Sequence, residues 1–299
     1  MNSRWYGSIL VLVSAVSFGF MPIFALLAYE EGVGVQELLF IRFILAFLLT
    51  GVFLGLTGKV SIPPRKHLLV LLALGGIGYF LQSSLYFTAL LHIPVPVAAL
   101  VLDTYPAFVT AGSLALGWER ISTYLILSLL LASAGLVLVA NPIFNTSIVG
   151  ISMALGAAVT YTVYILVSTR VLKGLSGEVG SFFVMGAASL TFGISCLLMG
   201  ELHIAWNFEA WIWVVMISFI STFIAIITFF QGLKLIGPSR TSILSIAELV
   251  TSVVVASIVF NDALSVTQWI GGLLILLAMI FAAPSETLRK KGTKHFYRQ

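Results

Sequence analysis

Long apolar blocks separated by short polar segments run along this chain. No Asp, Glu, Lys or Arg occurs from Ile121 to Thr169, and none occurs between Lys66 and Asp103. A helix that crosses a bilayer needs roughly 20 mostly apolar residues, so each block is long enough for about two crossings. Asn141-Pro142 interrupts the first block, and Pro94 and Pro96 close the second. The pattern therefore predicts paired membrane-spanning helices separated by short breaks.

Hydropathy and helix-breaking residues together predict ten spans, numbered 1 to 10 in chain order. The connecting loops are short, which leaves no room for a soluble domain between spans. The predicted spans cover residues 7–29, 38–56, 67–90, 97–116, 123–140, 149–170, 180–200, 210–232, 241–260 and 266–283.

Composition excludes several classes of protein. The 299 residues are 60% hydrophobic and 9% charged, whereas soluble domains carry roughly 25% charged residues. A single cysteine, Cys196, excludes an internal disulfide and a cysteine-based metal site. The net charge of +4 arises largely from the C-terminal tail, so it reflects membrane topology rather than binding to nucleic acid.

The basic residues also predict an orientation. If the N-terminus is cytoplasmic, 14 of the 15 Lys and Arg residues lie on the cytoplasmic side, and Arg42 is the exception. The outer loops then hold acidic residues instead, namely Glu30, Glu31, Glu37, Glu201, Glu209 and Asp262. Residues 7–29 are long enough to span the bilayer, so we interpret them as a retained first helix and not as a cleaved signal peptide. Both termini are expected in the cytoplasm.

The chain also shows an internal repeat at a shift of 143 residues. Gly7 then aligns with Gly150, Tyr86-Phe87 with Phe229-Phe230, and Glu119 with Asp262. The predicted units are a first five-helix repeat at 7–140, a second at 149–283, and a basic cytoplasmic tail at 284–299. Because five is odd, the second repeat must run upside down relative to the first. We therefore predict an all-α integral membrane protein of ten transmembrane helices, built as two inverted repeats. This architecture is typical of secondary transporters with a midplane site between the halves.

Ordered short motifs carry a resemblance to a known family. In the first half they are Phe18-Gly19-Phe20-Met21-Pro22, Thr104-Tyr105-Pro106-Ala107-Phe108 and Leu116-Gly117-Trp118-Glu119-Arg120; in the second half they are Ala247-Glu248-Leu249-Val250, Asn261-Asp262-Ala263-Leu264 and Trp269-Ile270-Gly271-Gly272. Nearly the whole chain resembles the EamA-type branch of the drug/metabolite transporter superfamily. It departs from the family at Asn261-Asp262, where Gly-Glu is usual, and near Leu249, where a proline is missing.

The resemblance implies ten helices, an inverted repeat, and export of amino acids or other small metabolites, often coupled to protons or to exchange. It also implies a multi-pass protein of a bacterial or archaeal plasma membrane. The expected partners are a small-molecule substrate, a coupling proton and the lipid bilayer. No cofactor, metal or nucleic acid is expected, and the protein is expected to be a monomer or a weak dimer.

Charged residues inside the spans are the main candidates for function, since a charge at bilayer depth is costly unless it is paired or faces a cavity. Arg42 and Asp103 lie about five and six residues into their spans from the outer side. We expect them to approach one another, directly or through water. Three interpretations remain open: the two residues form an outer gate, Arg42 anchors a substrate carboxylate, or they are a purely structural ion pair that locks two helices.

Glu248 is predicted about seven residues from the cytoplasmic end of span 9, with no Lys or Arg at its depth. An unpaired carboxyl there is expected to be largely protonated. Two interpretations remain open: a cavity-facing site for a proton or a substrate amine, or a neutral carboxyl bonded to a neighbouring helix.

Aromatic and amide side chains suggest a substrate cavity. Tyr79, Gln82 and Tyr86 follow helical spacing and share one face of span 3. A cavity of this kind suits a flat amphipathic solute such as an aromatic or branched amino acid, although simple packing between helices remains the alternative. The other predicted lining residues are Phe18, Tyr105, Tyr161, Tyr164 and Gln231.

Pro22 and Pro106 interrupt the backbone ladder inside spans 1 and 4, and they are interpreted as hinges or as tolerated kinks. An intramembrane enzyme is the main alternative function, but the chain has no HExxH, GxSxG or CxxC motif. A non-transporting receptor or scaffold also remains open.

Overall fold

The structure is a computed structural model that describes residues 3–119, 122–140, 147–200, 202–260 and 265–282. Within these ranges every regular element is helical. The first half contains α1 (Ser3–Gly19), α2 (Met21–Glu30), α3 (Val35–Thr57), α4 (Arg65–Ala73), α5 (Phe80–Ala89), α6 (Val95–Leu102), α7 (Tyr105–Ala115) and α8 (Thr123–Ala140). The second half contains α9 (Ile148–Val171), α10 (Gly177–Met199), α11 (Phe208–Ser218), α12 (Ala225–Ile236), α13 (Pro238–Ser245), α14 (Ala247–Phe260) and α15 (Val266–Ala282). The predicted basic tail at 284–299 lies outside the described residues.

Helix length and composition support a multi-pass membrane protein. Eight helical stretches in the described ranges are long and apolar enough to cross a bilayer, and they correspond to predicted spans 1–4 and 6–9. The stretches at the positions of spans 5 and 10 are shorter apolar helices, Thr123–Val139 and Val266–Ala282. At 1.5 Å per residue each covers about 26 Å, close to the thickness of the hydrocarbon core.

Three of the predicted spans are broken. Span 1 is interrupted at Phe20, between α1 and α2, and span 4 at residues 103–104, between α6 and α7. Pro22 and Pro106 lie at the starts of α2 and α7, where a missing backbone N–H is tolerated. Span 9 is interrupted at Ile246, which is the repeat mate of Asp103 at the shift of 143. Spans 4 and 9 therefore break at equivalent positions of the two repeats.

Spans 3 and 8 each contain a π-helical turn, which the apolar pattern did not predict. The first, π1 (Leu74–Tyr79), joins α4 to α5, and the second, π2 (Phe219–Ile224), joins α11 to α12. Such turns are rare and often occur at functional sites. The two turns lie at nearly equivalent positions of the repeats and interrupt the helices at mid-span.

The helix contacts follow the repeat. Helix α3 packs along α10, and α8 packs along α15, so spans 2 and 5 each lie against their own repeat mates. The contact of α5 with α9 is mirrored by that of α12 with α1. Likewise α6 and α7 pack on α9, as their repeat mates α13 and α14 pack on α1. Spans 3, 4 and 6 therefore form one group, and spans 8, 9 and 1 form the equivalent group.

Polar contacts join the two halves at both ends of α3. Lys59 Nζ donates to Glu178 Oε1 at 2.7 Å on the predicted cytoplasmic side. At the opposite end, Asn207 Nδ2 donates to Glu31 Oε2 at 2.6 Å, and the backbone N–H of His203 donates to Glu37 Oε1. Glu37 was expected in an outer loop, but it lies in the first turn of α3 and is buried. Glu37 lies inside the helix because α3 begins at Val35, three residues before the predicted start of span 2.

Candidate functional site

A narrow cavity lies between the two halves of the molecule. Its free space of about 20 Å³ is close to what one water molecule occupies, so the cavity must widen before it can hold a ligand. Spans 1 to 4 supply most of its wall, and spans 6 and 9 complete it. Its lining residues are Phe18, Met21, Arg42, Tyr79, Gln82, Ser83, Phe87, Leu102, Tyr105, Tyr161 and Glu248.

Arg42 is the eighth residue of α3, and its side chain is completely buried. Nη1 donates to Met21 Sδ at 3.2 Å, while Nε and Nη2 have no hydrogen-bond partner within 3.5 Å, although the Tyr79 hydroxyl lies close enough to interact with the guanidinium. The guanidinium carbon lies 4.7 Å from the Phe43 ring centroid and 5.1 Å from that of Phe87. Ring faces attract a cation but do not satisfy N–H donors. The site therefore presents two unpartnered donors beside the cavity.

Glu248 contributes a carboxyl group to the same cavity from the second half. It is the second residue of α14, where the helix dipole favours a negative charge. Arg42 lines the same cavity, so a cation lies near the depth of Glu248, where none was expected. The depth was misjudged because span 9 begins at Pro238, three residues before the predicted start, and Arg42 lies deeper than expected.

Asp103 is also buried, but it does not line the cavity. The predicted close approach to Arg42 produces no ion pair within 4.0 Å among the residues that the structure describes. Helix α6 ends at Leu102, so Asp103 lies at the break in span 4, outside the cavity lining that Arg42 and Glu248 share.

Aromatic rings form much of the cavity wall. The rings of Tyr105 and Tyr161 meet at 4.7 Å, and that of Tyr79 meets Phe43 edge-on at 5.0 Å. Phe18 completes this wall from span 1. The predicted residue Tyr164 lies one layer behind, with its ring 5.3 Å from Tyr79. These rings can contact a flat apolar group.

Span 3 supplies the uncharged polar groups. Gln82 and Ser83 line the cavity, and the Ser83 hydroxyl donates to Gln82 Oε1 at 3.3 Å. Tyr86 was expected on this wall, but it is buried outside the lining, and Phe87 takes the position. The lining face therefore agrees with the predicted one at Tyr79 and Gln82 and differs by one residue at its last position.

Gly19 explains how span 1 reaches Glu248 so closely. A Cβ added at Gly19 would lie 2.8 Å from the backbone oxygen of Glu248 and 2.5 Å from Thr251 Cβ. In addition, Ser252 Oγ donates to the Gly19 oxygen at 2.8 Å. The motif around Phe18-Gly19 thus places the break in span 1 directly against α14.

Other predicted residues lie elsewhere. Gln231 packs against Gly177, where an added Cβ would lie 2.7 Å from its backbone nitrogen, at the predicted cytoplasmic end of span 8. Sequence reasoning missed Met21, Ser83, Phe87 and Leu102 as lining residues, although Met21 lies in a quoted motif and Ser83 is one turn from Tyr79. The described part of the chain contains no cluster of three or more His, Cys, Asp or Glu residues able to hold a metal ion.

Comparison with known proteins agrees with this architecture. The chain is 26% identical over 278 residues to a protein of Archaeoglobus fulgidus named "Uncharacterized transporter", covering 93% of this chain and 96% of that protein. It is 24% identical to "Uncharacterized transporter YcbK" of Bacillus subtilis, covering 89% and 88% of the two chains. One solved crystal structure matches with a TM-score of 0.79 and 22% identity, over 92% of this chain and 97% of that chain, which supports the fold.

The sequence model of the EamA-like transporter family matches this chain twice, over residues 5–141 and 148–283. Two matches to one family model show that the halves are repeats of a common unit, as the shift of 143 residues indicated. Together the matches cover nearly the whole chain. The chain belongs to the EamA-like transporter family and is a multi-pass transporter of the drug/metabolite transporter type.

Proposed function

We propose that this protein exports small amphipathic metabolites, with apolar or aromatic amino acids as the substrate class, by alternating access around the cavity between its halves. One observation supports the proposal: a fully buried guanidinium with two donors that lack a hydrogen-bond partner within 3.5 Å lines the same aromatic-walled cavity as the Glu248 carboxyl. An amino acid carries both complementary charges and an apolar side chain.

In this proposal, Arg42 binds the substrate carboxylate. Its unpartnered atoms, Nε and Nη2, lie on one edge of the guanidinium, and this edge can donate two parallel hydrogen bonds to a carboxylate. Lysine presents a single ammonium group and cannot reproduce that geometry. Carboxylate binding would therefore satisfy the two donors that the protein itself leaves unpartnered.

Glu248 binds the substrate amine or the coupling proton. One residue can serve both roles in turn. A protonated carboxyl attracts an ammonium group less than an ionised one does, so the proton and the substrate amine would bind Glu248 alternately. The rings of Phe18, Tyr105 and Tyr161 then contact the apolar side chain of the substrate.

Transport requires the cavity to open to each side in turn, and the two equivalent helix groups provide two arrangements related by the repeat. The breaks next to Pro22 and Pro106 are the proposed hinges, since the backbone ladder is already interrupted there. In the same proposal both termini face the cytoplasm of a bacterial or archaeal cell. Protease access to a terminal tag in right-side-out and inside-out vesicles tests that orientation.

The function is tested by counterflow in proteoliposomes with labelled amino acids and an imposed pH gradient. Wild type is compared with Arg42→Lys, Glu248→Gln and the matched control Glu209→Gln, which changes a carboxyl to an amide at an exposed site. We expect saturable flux in wild type and in Glu209→Gln. Arg42→Lys should raise KM at least tenfold, since one bidentate contact is lost, and Glu248→Gln should abolish the pH dependence.

Absence of flux for every amino acid would refute the proposed substrate class. It would favour other metabolites or the non-transporting receptor. Flux with an unchanged pH dependence in Glu248→Gln would assign that residue a structural role and would remove it from coupling.

A further inference from the structure

The two broken helices meet directly below the cavity. Helix α7, the second part of span 4, packs antiparallel to α13, the first part of span 9. The hydroxyl of Tyr105 donates to the Ser242 backbone oxygen at 3.4 Å at the cavity end. At the other end, toward the predicted cytoplasmic side, the Oγ atoms of Ser113 and Ser239 lie 2.8 Å apart, and both side chains are completely buried. Two hydrogen bonds thus join the halves between the cavity and the cytoplasm.

The loop after α7 extends this contact. Glu119 Oε2 lies 3.2 Å from Ser113 Oγ, within hydrogen-bond distance. Ser113 has one hydroxyl proton, and its Oγ also lies 3.0 Å from the Thr110 backbone oxygen, so when it accepts from Ser239 it donates to Thr110 or to Glu119. The neighbouring Trp118 ring lies 4.5 Å beneath the guanidinium of Arg170, at the end of α9. Glu119 is therefore held beside the two serines by a second contact to span 6.

The repeat does not reproduce this contact on the opposite side. At the shift of 143 residues, the mate of Ser113 is Ala256 and the mate of Ser239 is Pro96. Neither residue carries a side-chain hydroxyl. An inverted arrangement in which the outer helix parts close over the cavity would therefore lack the serine pair.

We propose that α7 and α13 form the cytoplasmic gate of the transporter, and that the Ser113–Ser239 hydrogen bond biases the protein toward its cytoplasm-closed state. The equivalent breaks at residues 103–104 and at Ile246 let these two segments separate while α6 and α14 stay in place. This proposal rests on the alternating access described above, and it adds which residues set the balance between the two states.

Removal of both hydroxyls is the first test. In a Cys196→Ser background, the single cysteine of Gln82→Cys reports access to the cavity through labelling by a membrane-impermeant maleimide added to the cytoplasmic face of vesicles. Ser113→Ala/Ser239→Ala is expected to raise that labelling rate about two- to tenfold, the range for one net hydrogen bond. The control, Ser152→Ala, removes a hydroxyl that bonds only within its own helix and should leave the rate unchanged. An unchanged or lower rate in the double variant would overturn the proposal.

A cross-link provides the second test. The variant Ser113→Cys/Ser239→Cys is oxidised to a disulfide in the Cys196→Ser background. It should then lose counterflow of labelled phenylalanine and regain it on reduction. Counterflow by each single variant should be unchanged by the oxidant. Continued flux through a cross-linked protein would refute the gate, and failure of the pair to cross-link would refute the contact. Because maleimide labelling needs no substrate, an incorrect substrate class would abolish the flux measurement while the labelling result still decides the gate.

Discussion

Replacement of Gly75 by alanine tests whether the π-helical turn of span 3 is pressed against span 7 as closely as the structure shows. An added Cβ would lie 2.1 Å from the Val184 carbonyl oxygen and 2.9 Å from Ala187 Cβ, where ordinary contacts begin at 3.4 Å. The obstacle is backbone, which cannot rotate away as a flexible side chain does. The two spans must therefore separate locally by about 1 Å, a gap that forfeits a quarter to a half of the affected dispersion energy.

The expected loss of stability is about 1–3 kcal/mol, the usual cost of an overpacked core. Gly76→Ala is the matched control, because it carries the same gain in helix propensity but meets Thr191 Oγ1 at 3.1 Å, a side-chain atom that can move. The difference between the two variants isolates the backbone contact. At about 2–4 °C per kcal/mol, Gly75→Ala should melt several degrees below Gly76→Ala.

Cys196 allows the melting assay without the introduction of another cysteine. It is the only cysteine in the chain, and its side chain is completely buried, so a thiol-reactive fluorophore reports unfolding in detergent. Equal melting temperatures for the two alanine variants would show that the helices adjust freely at π1. The close-packing argument would then be wrong.

Three further predictions extend these expectations. Gly237→Ala should lower stability by about 1–3 kcal/mol in the same melt, because φ is +83° there and only glycine adopts that conformation without strain. The hydrogen bond to Glu178 raises the pKa of Lys59 above its ordinary 10.5, so the bridge stabilises the fold below that value and is lost as pH rises through the raised pKa. The melting difference between Lys59→Met and wild type should accordingly be present near neutral pH and vanish in strongly alkaline buffer. Arg42→Met alone should destabilise the protein, since Glu248 loses its cation. The double variant Arg42→Met/Glu248→Gln should be at least as stable as wild type but inactive in counterflow. Simple additivity of the two changes in a double-mutant cycle would contradict the inferred coupling.

The sequence predicted the spans well because apolar length is a strong physical signal. It did not predict their interruptions, since a break or a π turn inside an apolar run leaves hydropathy unchanged. Pro106 marks the break in span 4, but the equivalent break at Ile246 has no proline of its own, and only comparison of the two repeats could have indicated it.

The candidate site was predicted in part for the same reason. Helical spacing from Tyr79 reached Gln82, which lines the cavity, but it then selected Tyr86, whereas the structure places Phe87 there. Depth within a span depends on where the helix begins, and starts misplaced by three residues separated Arg42 from Glu248. Their shared cavity required the tertiary arrangement of spans 2 and 9.

The two π turns have a consequence for how the chain tolerates changes in length. An i→i+5 turn holds one residue more than an α-helical turn, so removing a single residue within π1, such as Ile77, lets the backbone close into a regular helix with both flanks in register. The same deletion elsewhere in span 3 would rotate every later residue by about 100° and turn the cavity face toward lipid. Length variation among related transporters should therefore concentrate at these two turns within the spans, where one residue more or less leaves the rest of the helix facing the same neighbours.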